Sequence, residues 1–215
     1  TETGRRLVRE LNRLGVMVDV SHASIAAVLE TAALSRAPVI ASHSGARAIF
    51  DHPRNLTDEE IVAIADTGGV IQLVAFDSYL RHLDDANKAA MAAIRTDMGL
   101  QGEDWYLRAT EEQLAQMRKA ISALDARWPR ATVATLVDHV DHVVKLVGVE
   151  HAGVTSDFGG GGGVKGWDNA GETAAVTREL ARRGYSEDQI AQIWGGNLLR
   201  VWSEVASSAE LEAAR

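Results

Sequence analysis

Two short apolar segments of this sequence end in the same dipeptide, Ser-His. His22 follows MVDVS and His43 follows PVIAS. Aliphatic and β-branched residues without polar alternation are typical of a strand that is buried on both faces, as in a parallel sheet covered by helices. In such α/β architectures the chemistry gathers at the carboxyl ends of the strands. We therefore expect both imidazoles at one rim of a sheet, facing the same space.

The two histidines have a functional and a purely structural interpretation. The histidine of an isolated Ser-His is about as often a structural residue, buried or capping and bonded to nearby backbone, as a functional one. Its repetition at the ends of successive strands favours a shared functional site. Neutral imidazole is a common ligand of zinc and related divalent ions. The pattern predicts His22 and His43 as metal ligands. Asp19 lies three residues before His22 and is a ligand, an acceptor that orients one, or a side chain that strand alternation directs elsewhere. We do not count it among the predicted ligands.

Composition limits the class of protein. The chain has 215 residues, 46% hydrophobic and 24% charged, which is enough for one globular domain with a sizeable core. A net charge of -8 and a pI near 5.4 argue against nucleic acid as a partner. Cysteine is absent, which excludes disulfides and thiolate ligands, and no apolar run reaches the roughly 20 residues of a membrane-spanning helix. The compartment stays open, with a soluble chain expected and the cytoplasm slightly favoured.

Helical segments alternate with these apolar runs, which predicts an α/β fold. The first helix has Thr3 available as an N-cap and Gly15 as a C-terminal stop. Thr57 and Glu60 have the spacing of a capping box before a later helix. Further buried strands are expected at GVIQLVAF and HAGVTSDF.

Two stretches rich in charge are interpreted as structural. From about residue 81 to residue 130, charged residues alternate with alanine, methionine and leucine, which predicts helices over about 84–98 and 109–126 that form an insertion. The later segment DHVDH superficially resembles a metal cluster. Valines occupy the core face of that helix, so we expect His139 and His142 on an exposed, self-paired surface.

Asp157 stands at the carboxyl end of the HAGVTSDF strand, the position that the two histidines hold on theirs. A run of glycines at 159–163 follows, which permits close backbone approach and a mobile lid. A phosphate cradle is a weak alternative, because the lysine and hydroxyl of a P-loop are missing in the required order.

Taken together, the motifs resemble those of the renal (membrane) dipeptidase family, the M19 metallopeptidases. The resemblance covers most of the chain apart from the expected insertion and is carried in order by RELNRLGVMVDVSH, LSRAPVIASHS, HPRN, GVEHAGVTSDF and RRGYSEDQIAQIWGGNLLRV. It implies a (β/α) TIM-type barrel of the metal-dependent hydrolase kind with a two-zinc centre. Residues 1–215 would then be the C-terminal part of a single metallo-dipeptidase barrel domain, with the helical insertion at about 81–130.

The resemblance assigns roles to individual residues. His22 and His43 match the two imidazoles of the second zinc ion. Arg54 in HPRN matches the arginine that binds the terminal carboxylate of the dipeptide, and Tyr79 falls where the family has a substrate-contacting tyrosine. Asp157 matches the aspartate near the substrate's amino group and the scissile bond, a catalytic and substrate-binding position. Gly159 departs from the second aspartate that many members carry there.

The family's ligands for the first zinc, a His-x-Asp motif, and its bridging glutamate belong ahead of the region that begins at Thr1. We therefore expect the N-terminal half of the barrel to be supplied by the same or a companion chain, with a homo-oligomer also left open. Half a barrel would leave strand edges that need a partner.

The resemblance implies a zinc-dependent dipeptidase that hydrolyses the peptide bond of dipeptides, including those with a C-terminal D-residue, by metal-activated water. One alternative is a non-catalytic binding or assembly subunit, or an inactive fragment, that keeps the fold with an incomplete metal site. Another is a barrel hydrolase acting on a different amide or a lactone. Arg54 counts against the last, because a neutral substrate would not need that cation.

Overall fold

A parallel sheet of four strands in the order β1-β2-β3-β4 forms the centre of the computed structural model, which describes residues 1–102 and 104–213. The strands are β1 (Val18–Asp19), β2 (Val39–Ser44), β3 (Val70–Val74) and β4 (Ala152–Thr155). All five residues of β3 are buried, as expected for a strand that is covered on both faces.

Strand β1 is shorter than its apolar run because the chain turns after Asp19. One carboxylate oxygen of Asp19 accepts the main-chain N–H of Ser21 at 3.0 Å, an Asx turn that bends the chain out of the sheet. The first residues that follow this strand are therefore held at the sheet's rim.

Eleven α-helices surround the sheet in the described residues: α1 (Glu2–Leu14), α2 (Ile25–Leu34), α3 (Asp58–Asp66), α4 (Asp77–Leu80), α5 (Asp85–Asp97), α6 (Trp105–Arg108), α7 (Glu111–Ala123), α8 (Val133–Val147), α9 (Ala174–Arg182), α10 (Glu187–Ala191) and α11 (Asn197–Ala213). A π-helical turn at 192–196 joins α10 to α11. The strand and helix order agrees with the predicted α/β class.

Local capping chemistry sets several helix ends. The N-cap of α1 is Thr1, whose hydroxyl accepts from Gly4, so the expectation of Thr3 was wrong by two residues. Gly15 ends α1 in the left-handed region, with φ of 67°, as predicted. Thr57 and Glu60 form the predicted capping box at the start of α3.

The main core lies between the sheet and helices α2, α3, α8 and α9. Its fully buried members include Val28, Ile61, Leu136 and Leu180, one from each of these helices. The surrounding helices thus cover the strands and leave their carboxyl ends free for other side chains.

Helix α11 crosses the opposite end of the sheet. Val201 and Val205 pack against Ile40 and Val70 at the amino-terminal ends of β2 and β3. The guanidinium of Arg200 donates to the carbonyl oxygens of residues 68 and 150, each at 2.9 Å, in the loops that precede β3 and β4. This helix also contacts α1, so it joins the first helix to the base of the sheet.

The helices expected over about 84–98 and 109–126 are observed as α5 and α7, which pack together. Their segment is anchored at its far end by Arg130, which pairs with Asp125 at 3.0 Å and with Asp168 at 2.7 Å. Asp77 accepts the main-chain N–H of Ala131 at 2.7 Å. That this segment is an insertion stays a prediction.

The prediction that His139 and His142 lie on an exposed face of α8 is wrong, because His139 is buried and His142 is only partly exposed. The side chain of His139 is 0% exposed, and Nδ1 accepts the main-chain N–H of Ala46 at 2.9 Å, in the loop that follows β2. Burial lowers the pKa of His139 to about 4. His142 pairs with Asp58 of α3 at 2.7 Å, and Asp141 pairs with Arg183, so these charges are paired with other elements and not among themselves.

In the part of the chain that is described, none of the helices combines the length and apolar character needed to cross a lipid bilayer.

Candidate active site

The imidazoles of His22 and His43 meet at the rim formed by the carboxyl ends of β1 and β2. Their Nε2 atoms lie 2.7 Å apart and their ring centroids 4.7 Å apart. His43 is part of β2, whereas His22 sits beyond β1 with a φ of 70°, in the left-handed region that residues other than glycine seldom adopt. The predicted meeting of the two rings is thus observed.

The surroundings of His22 favour its neutral form. Burial lowers the pKa of His22 first, and the positive charges of Arg54 and His43 add to the effect. The negative charges of Asp157 and Asp19 oppose this lowering of the pKa. Neutral imidazole is the form that coordinates a metal ion.

Asp19 does not face the two Nε2 atoms as a ligand would. Its Oδ2 accepts the hydroxyl of Ser42 at 2.6 Å, and its Oδ1 accepts the main-chain N–H groups of Ser21 and Ser42 at 3.0 and 3.1 Å. The Ser42 hydroxyl in turn lies 2.7 Å from Nδ1 of His43. Of the alternatives for Asp19, the geometry supports the orienting acceptor.

The donor set fits a divalent ion such as zinc in part. Two convergent Nε2 atoms are ligands that zinc accepts, and each belongs to a different strand end. Among residues 1–102 and 104–213, no group of three or more His, Cys, Asp or Glu side chains is arranged to hold a metal ion. The described residues therefore offer two ligands and leave the other positions to further groups.

Arg54 lies in the loop between β2 and α3. Its Nε and Nη2 atoms are buried and have no hydrogen-bond partner among the described residues. Arg54 and His22 line one cavity of about 480 Å³, together with Ser44, Asn55 and Glu60. A buried guanidinium with unsatisfied donors beside a cavity is suited to bind an anionic group there.

Tyr79 of α4 contacts Arg54 through its ring. The guanidinium carbon lies 5.4 Å from the ring centroid, within cation–π distance. The ring itself stacks between His52 at 4.7 Å and Phe76 at 4.4 Å. Arg54 and Tyr79, predicted separately as substrate contacts, are therefore brought together.

Sequence reasoning missed the supporting roles of His52 and Asn55. Nδ1 of His52 accepts the main-chain N–H of Arg54 at 3.2 Å. Burial is the main cause that lowers the pKa of His52, and the positive charge of Arg54 lowers it further. The Asn55 amide donates to the carbonyl oxygens of Phe50 at 2.9 Å and Tyr79 at 2.7 Å. Both residues flank the arginine in HPRN, and that adjacency was the only available signal.

Asp157 follows β4 with a φ of 51°. Its carbonyl oxygen accepts the N–H groups of Gly160 and Gly162 at 2.9 and 2.8 Å. A Cβ at residue 160 would collide with the Asp157 carboxylate, so any larger residue there would displace this side chain from its observed position. Gly163 donates to the carbonyl of Ala75 at 2.6 Å, which ties the end of the glycine run to β3.

The family model "Membrane dipeptidase (Peptidase family M19)" matches residues 1–215. A curated relative, Dipeptidase 3 of Rattus norvegicus, is 28% identical over 211 residues, which are 98% of this chain and 34% of that protein.

Solved structures of a probable dipeptidase and of a metallopeptidase are also similar to this chain. The crystal structure of the probable dipeptidase PvdM from Pseudomonas aeruginosa is 43% identical with a TM-score of 0.77, over 97% of this chain and 55% of that chain. A metallopeptidase from Rhodobacter sphaeroides, solved with a phosphinate mimic of the dipeptide L-Ala-D-Ala, is 28% identical with a TM-score of 0.67, over 95% of this chain and 47% of that one.

The chain thus spans about half the length of these structures and about a third of the curated relative. The dipeptidases of this family have a TIM-barrel fold, and the observed parallel sheet with its helices is the α/β arrangement predicted for part of such a barrel. With the family model matched along residues 1–215, we conclude that this chain belongs to peptidase family M19, the membrane dipeptidases, a family of metallopeptidase hydrolases.

Proposed function

We propose that the protein is a zinc-dependent dipeptidase and that this chain carries the half of its active site that binds one metal ion and the substrate's charged ends. The observation that carries the proposal is the approach of the His22 and His43 Nε2 atoms to 2.7 Å, with His22 lining the same cavity as Arg54. Membership of a metallopeptidase family supports the metal.

His22 and His43 are the proposed metal ligands in this chain. A zinc ion bound there supplies activation of a water molecule and polarisation of the scissile carbonyl. Two zinc ions are expected for the complete family centre. We propose that the ligands of the first ion and the bridging glutamate come from the N-terminal half of the barrel, on the same or a companion chain.

Arg54 is the proposed site for the carboxylate at the substrate's C-terminus. Its Nε and Nη2 atoms are two adjacent donors of the planar guanidinium fork, which can bind both oxygens of a carboxylate. The Tyr79 ring supports the guanidinium from one side, with its centroid 5.4 Å from the guanidinium carbon. A free carboxylate would satisfy donors that are otherwise buried without partners, which gives selection for short peptides with a free C-terminus.

Asp157 is proposed to receive the substrate's ammonium group and to handle a proton at the scissile bond. Its effect on the pKa of His22 supports a position near the metal-binding rings. A carboxylate there can pair with an ammonium and can also act as a general acid or base.

Tolerance of a D-residue at the C-terminal position is part of the proposal. It is supported by the relative from Rhodobacter sphaeroides, whose bound ligand mimics L-Ala-D-Ala.

The test is hydrolysis of a matched panel of dipeptides, each as the free acid and as the C-terminal amide, by the zinc-loaded protein. The proposal expects turnover of the free acids, a large loss on amidation, and loss of turnover after chelation with recovery on adding zinc. Equal turnover of acids and amides would contradict the role of Arg54. Turnover that survives complete metal removal would contradict the metallo-dipeptidase.

A non-catalytic binding or assembly subunit is the second candidate. The observation that favours it is the lack of a three-ligand metal cluster among the described residues. It predicts a dipeptide-binding protein with no turnover on any member of the panel, even when zinc is in excess. Mass spectrometry and metal analysis of the purified protein then separate the two: a companion chain or longer polypeptide carrying two zinc ions supports the enzyme.

A further inference from the structure

Ser42 lies between the carboxylate of Asp19 and the ring of His43. Its hydroxyl is 2.6 Å from Asp19 Oδ2 and 2.7 Å from His43 Nδ1. Neighbouring parallel strands create this arrangement, because Asp19 ends β1 and Ser42 is part of β2, and the two strands are paired in register at Asp19 and Ile40. We call these three residues the Asp19–Ser42–His43 triad.

The directions of the hydrogen bonds in the triad follow from the number of protons available. A carboxylate has only acceptors, whereas a serine hydroxyl has a single proton to donate. The short contact to Asp19 uses that proton, so the hydroxyl oxygen can only accept from His43. His43 must then carry its proton on Nδ1, and its Nε2, which lies 2.7 Å from Nε2 of His22, carries the lone pair.

Asp19 is itself held in one orientation. Its second oxygen accepts the main-chain N–H groups of Ser21 and Ser42, and the Ser21 hydroxyl accepts the main-chain N–H of His43 at 2.9 Å. These bonds fix the carboxylate and the backbone of β2 relative to each other. The tautomer of His43 is therefore set by two side chains, and the main chain holds the Asp19 carboxylate in place.

We propose that Asp19 and Ser42 are positioning residues for metal binding: they hold the proton of His43 on Nδ1 and leave Nε2 free to coordinate an ion beside His22. The inference rests on the proposed metallo-dipeptidase function, but it concerns only groups in this chain. Groups that fix the tautomer of a ligating histidine contribute about 10–100-fold to metal affinity or activity.

The isosteric substitution Asp19→Asn gives the sharpest test. The two main-chain N–H groups need an acceptor, so the amide oxygen takes the place of Oδ1 and the amide nitrogen faces the Ser42 hydroxyl. That hydroxyl then accepts from residue 19 and donates to His43, which moves the histidine proton to Nε2. An exchange of this kind reverses the proton direction with little change in shape.

The first measurement is the tautomer of His43 in the metal-free protein, by nitrogen NMR of labelled histidine. We expect the Nδ1–H form in the unsubstituted protein and the Nε2–H form in Asp19→Asn. Asp66→Asn, at an exposed position of α3, is the matched control and should leave the tautomer unchanged. Retention of the Nδ1–H form in Asp19→Asn, with a folded circular dichroism spectrum, would overturn the proposal.

The second measurement is cobalt(II) affinity, read from its visible absorption spectrum. We expect Asp19→Asn and Ser42→Ala to weaken binding by about 10–100-fold, and Ser42→Thr, which keeps a hydroxyl, to restore most of the loss. Equal weakening by Ser42→Thr and Ser42→Ala would overturn the role of the hydroxyl. A tautomer that responds as expected in a protein that binds no cobalt would support the triad's effect on His43 and contradict the proposed metal centre, so the two failures can be told apart.

Discussion

The guanidinium carbon of Arg54 lies 5.4 Å from the centroid of the Tyr79 ring, so a side chain from the β2–α3 loop and one from α4 form a single surface. The Asn55 amide bond to the Tyr79 carbonyl holds the two segments together. This relationship gives the charged end of the proposed substrate a fixed partner.

Replacing Arg54 with lysine should weaken binding of a dipeptide mimic. Lysine keeps the charge but loses the planar fork and its contact with the Tyr79 ring. Loss of charge-assisted hydrogen bonds of about 1.5–3 kcal/mol corresponds to about 10–100-fold in affinity. Calorimetry with a phosphinate dipeptide mimic measures this. Arg178→Lys, exposed on α9, is the control, and equal affinities for both variants would count against the carboxylate site.

Replacing either His22 or His43 with alanine should reduce zinc or cobalt affinity by more than the roughly 100-fold upper range for orienting groups, because a ligand itself is removed. Equilibrium dialysis followed by metal analysis gives the affinity. His82→Ala, at an exposed position before α5, should bind like the unsubstituted protein. If His22→Ala and His43→Ala both bind metal as tightly as the unsubstituted protein, these histidines are not metal ligands.

The fold should lose stability in acid because the buried His139 ring takes up a proton less readily than the same ring in the unfolded chain. Burial lowers the pKa of His139 from 6.5 to about 4, with Asp138 and His142 as the charged neighbours. Above pH 6.5 the ring is neutral in both the folded and unfolded states and imposes no penalty. As the pH falls from 6.5 to 4, only the unfolded state gains the proton, so stability decreases over that window by on the order of 3 kcal/mol.

Denaturant unfolding at several pH values tests this. In His139→Gln the amide oxygen can still accept the Ala46 N–H, but the group does not titrate, so the stability lost between pH 6.5 and 4 should shrink. His82→Gln is the matched exposed control. An unchanged pH dependence in His139→Gln would assign the acid sensitivity to other groups.

Adding one methyl group at residue 160 should impair substrate binding. The new Cβ would collide with the Asp157 carboxylate, which must then move from its place near His22. Gly159→Ala is a closely matched control, because a Cβ there meets nothing within 4 Å. We expect about tenfold weaker binding of the phosphinate mimic for Gly160→Ala and little change for Gly159→Ala, on the scale of one lost hydrogen bond to a charged group. The same affinity in both variants would show that Asp157 does not contact the substrate.

Sequence patterns predicted the elements that depend on local information. The largely buried strands β2, β3 and β4, the Gly15 stop and the Thr57–Glu60 capping box each follow from residues close in the chain. The prediction of a strand buried on both faces was wrong for β1, which has two residues, of which Asp19 is exposed. The approach of His22 and His43 was also predictable, because parallel strands in this class place their carboxyl ends at one edge.

Features that depend on distant residues were not predictable. The sequence allowed Asp19 to be an orienting acceptor, but its link to His43 runs through Ser42 on the neighbouring strand, and strand register is needed to know this. His139 is buried because the loop after β2 brings the Ala46 N–H to its ring, although its own helix reads as charged at that point. The Thr1 cap was missed because two threonines near the helix start are equally plausible from local sequence alone.

Helix α11 binds the base of the sheet through Val201, Val205 and Arg200, whereas the histidines, Arg54 and Asp157 sit at the opposite rim. The groups that hold the sheet together and the groups proposed to select a substrate are therefore carried by different ends of the same strands. Substitutions in the loops at the rim can change which substrate is bound while the contacts of α11 at the base stay intact. Substitutions in α11 can in turn restore stability that is lost at the rim. Stability and substrate selection can therefore change independently in this fold.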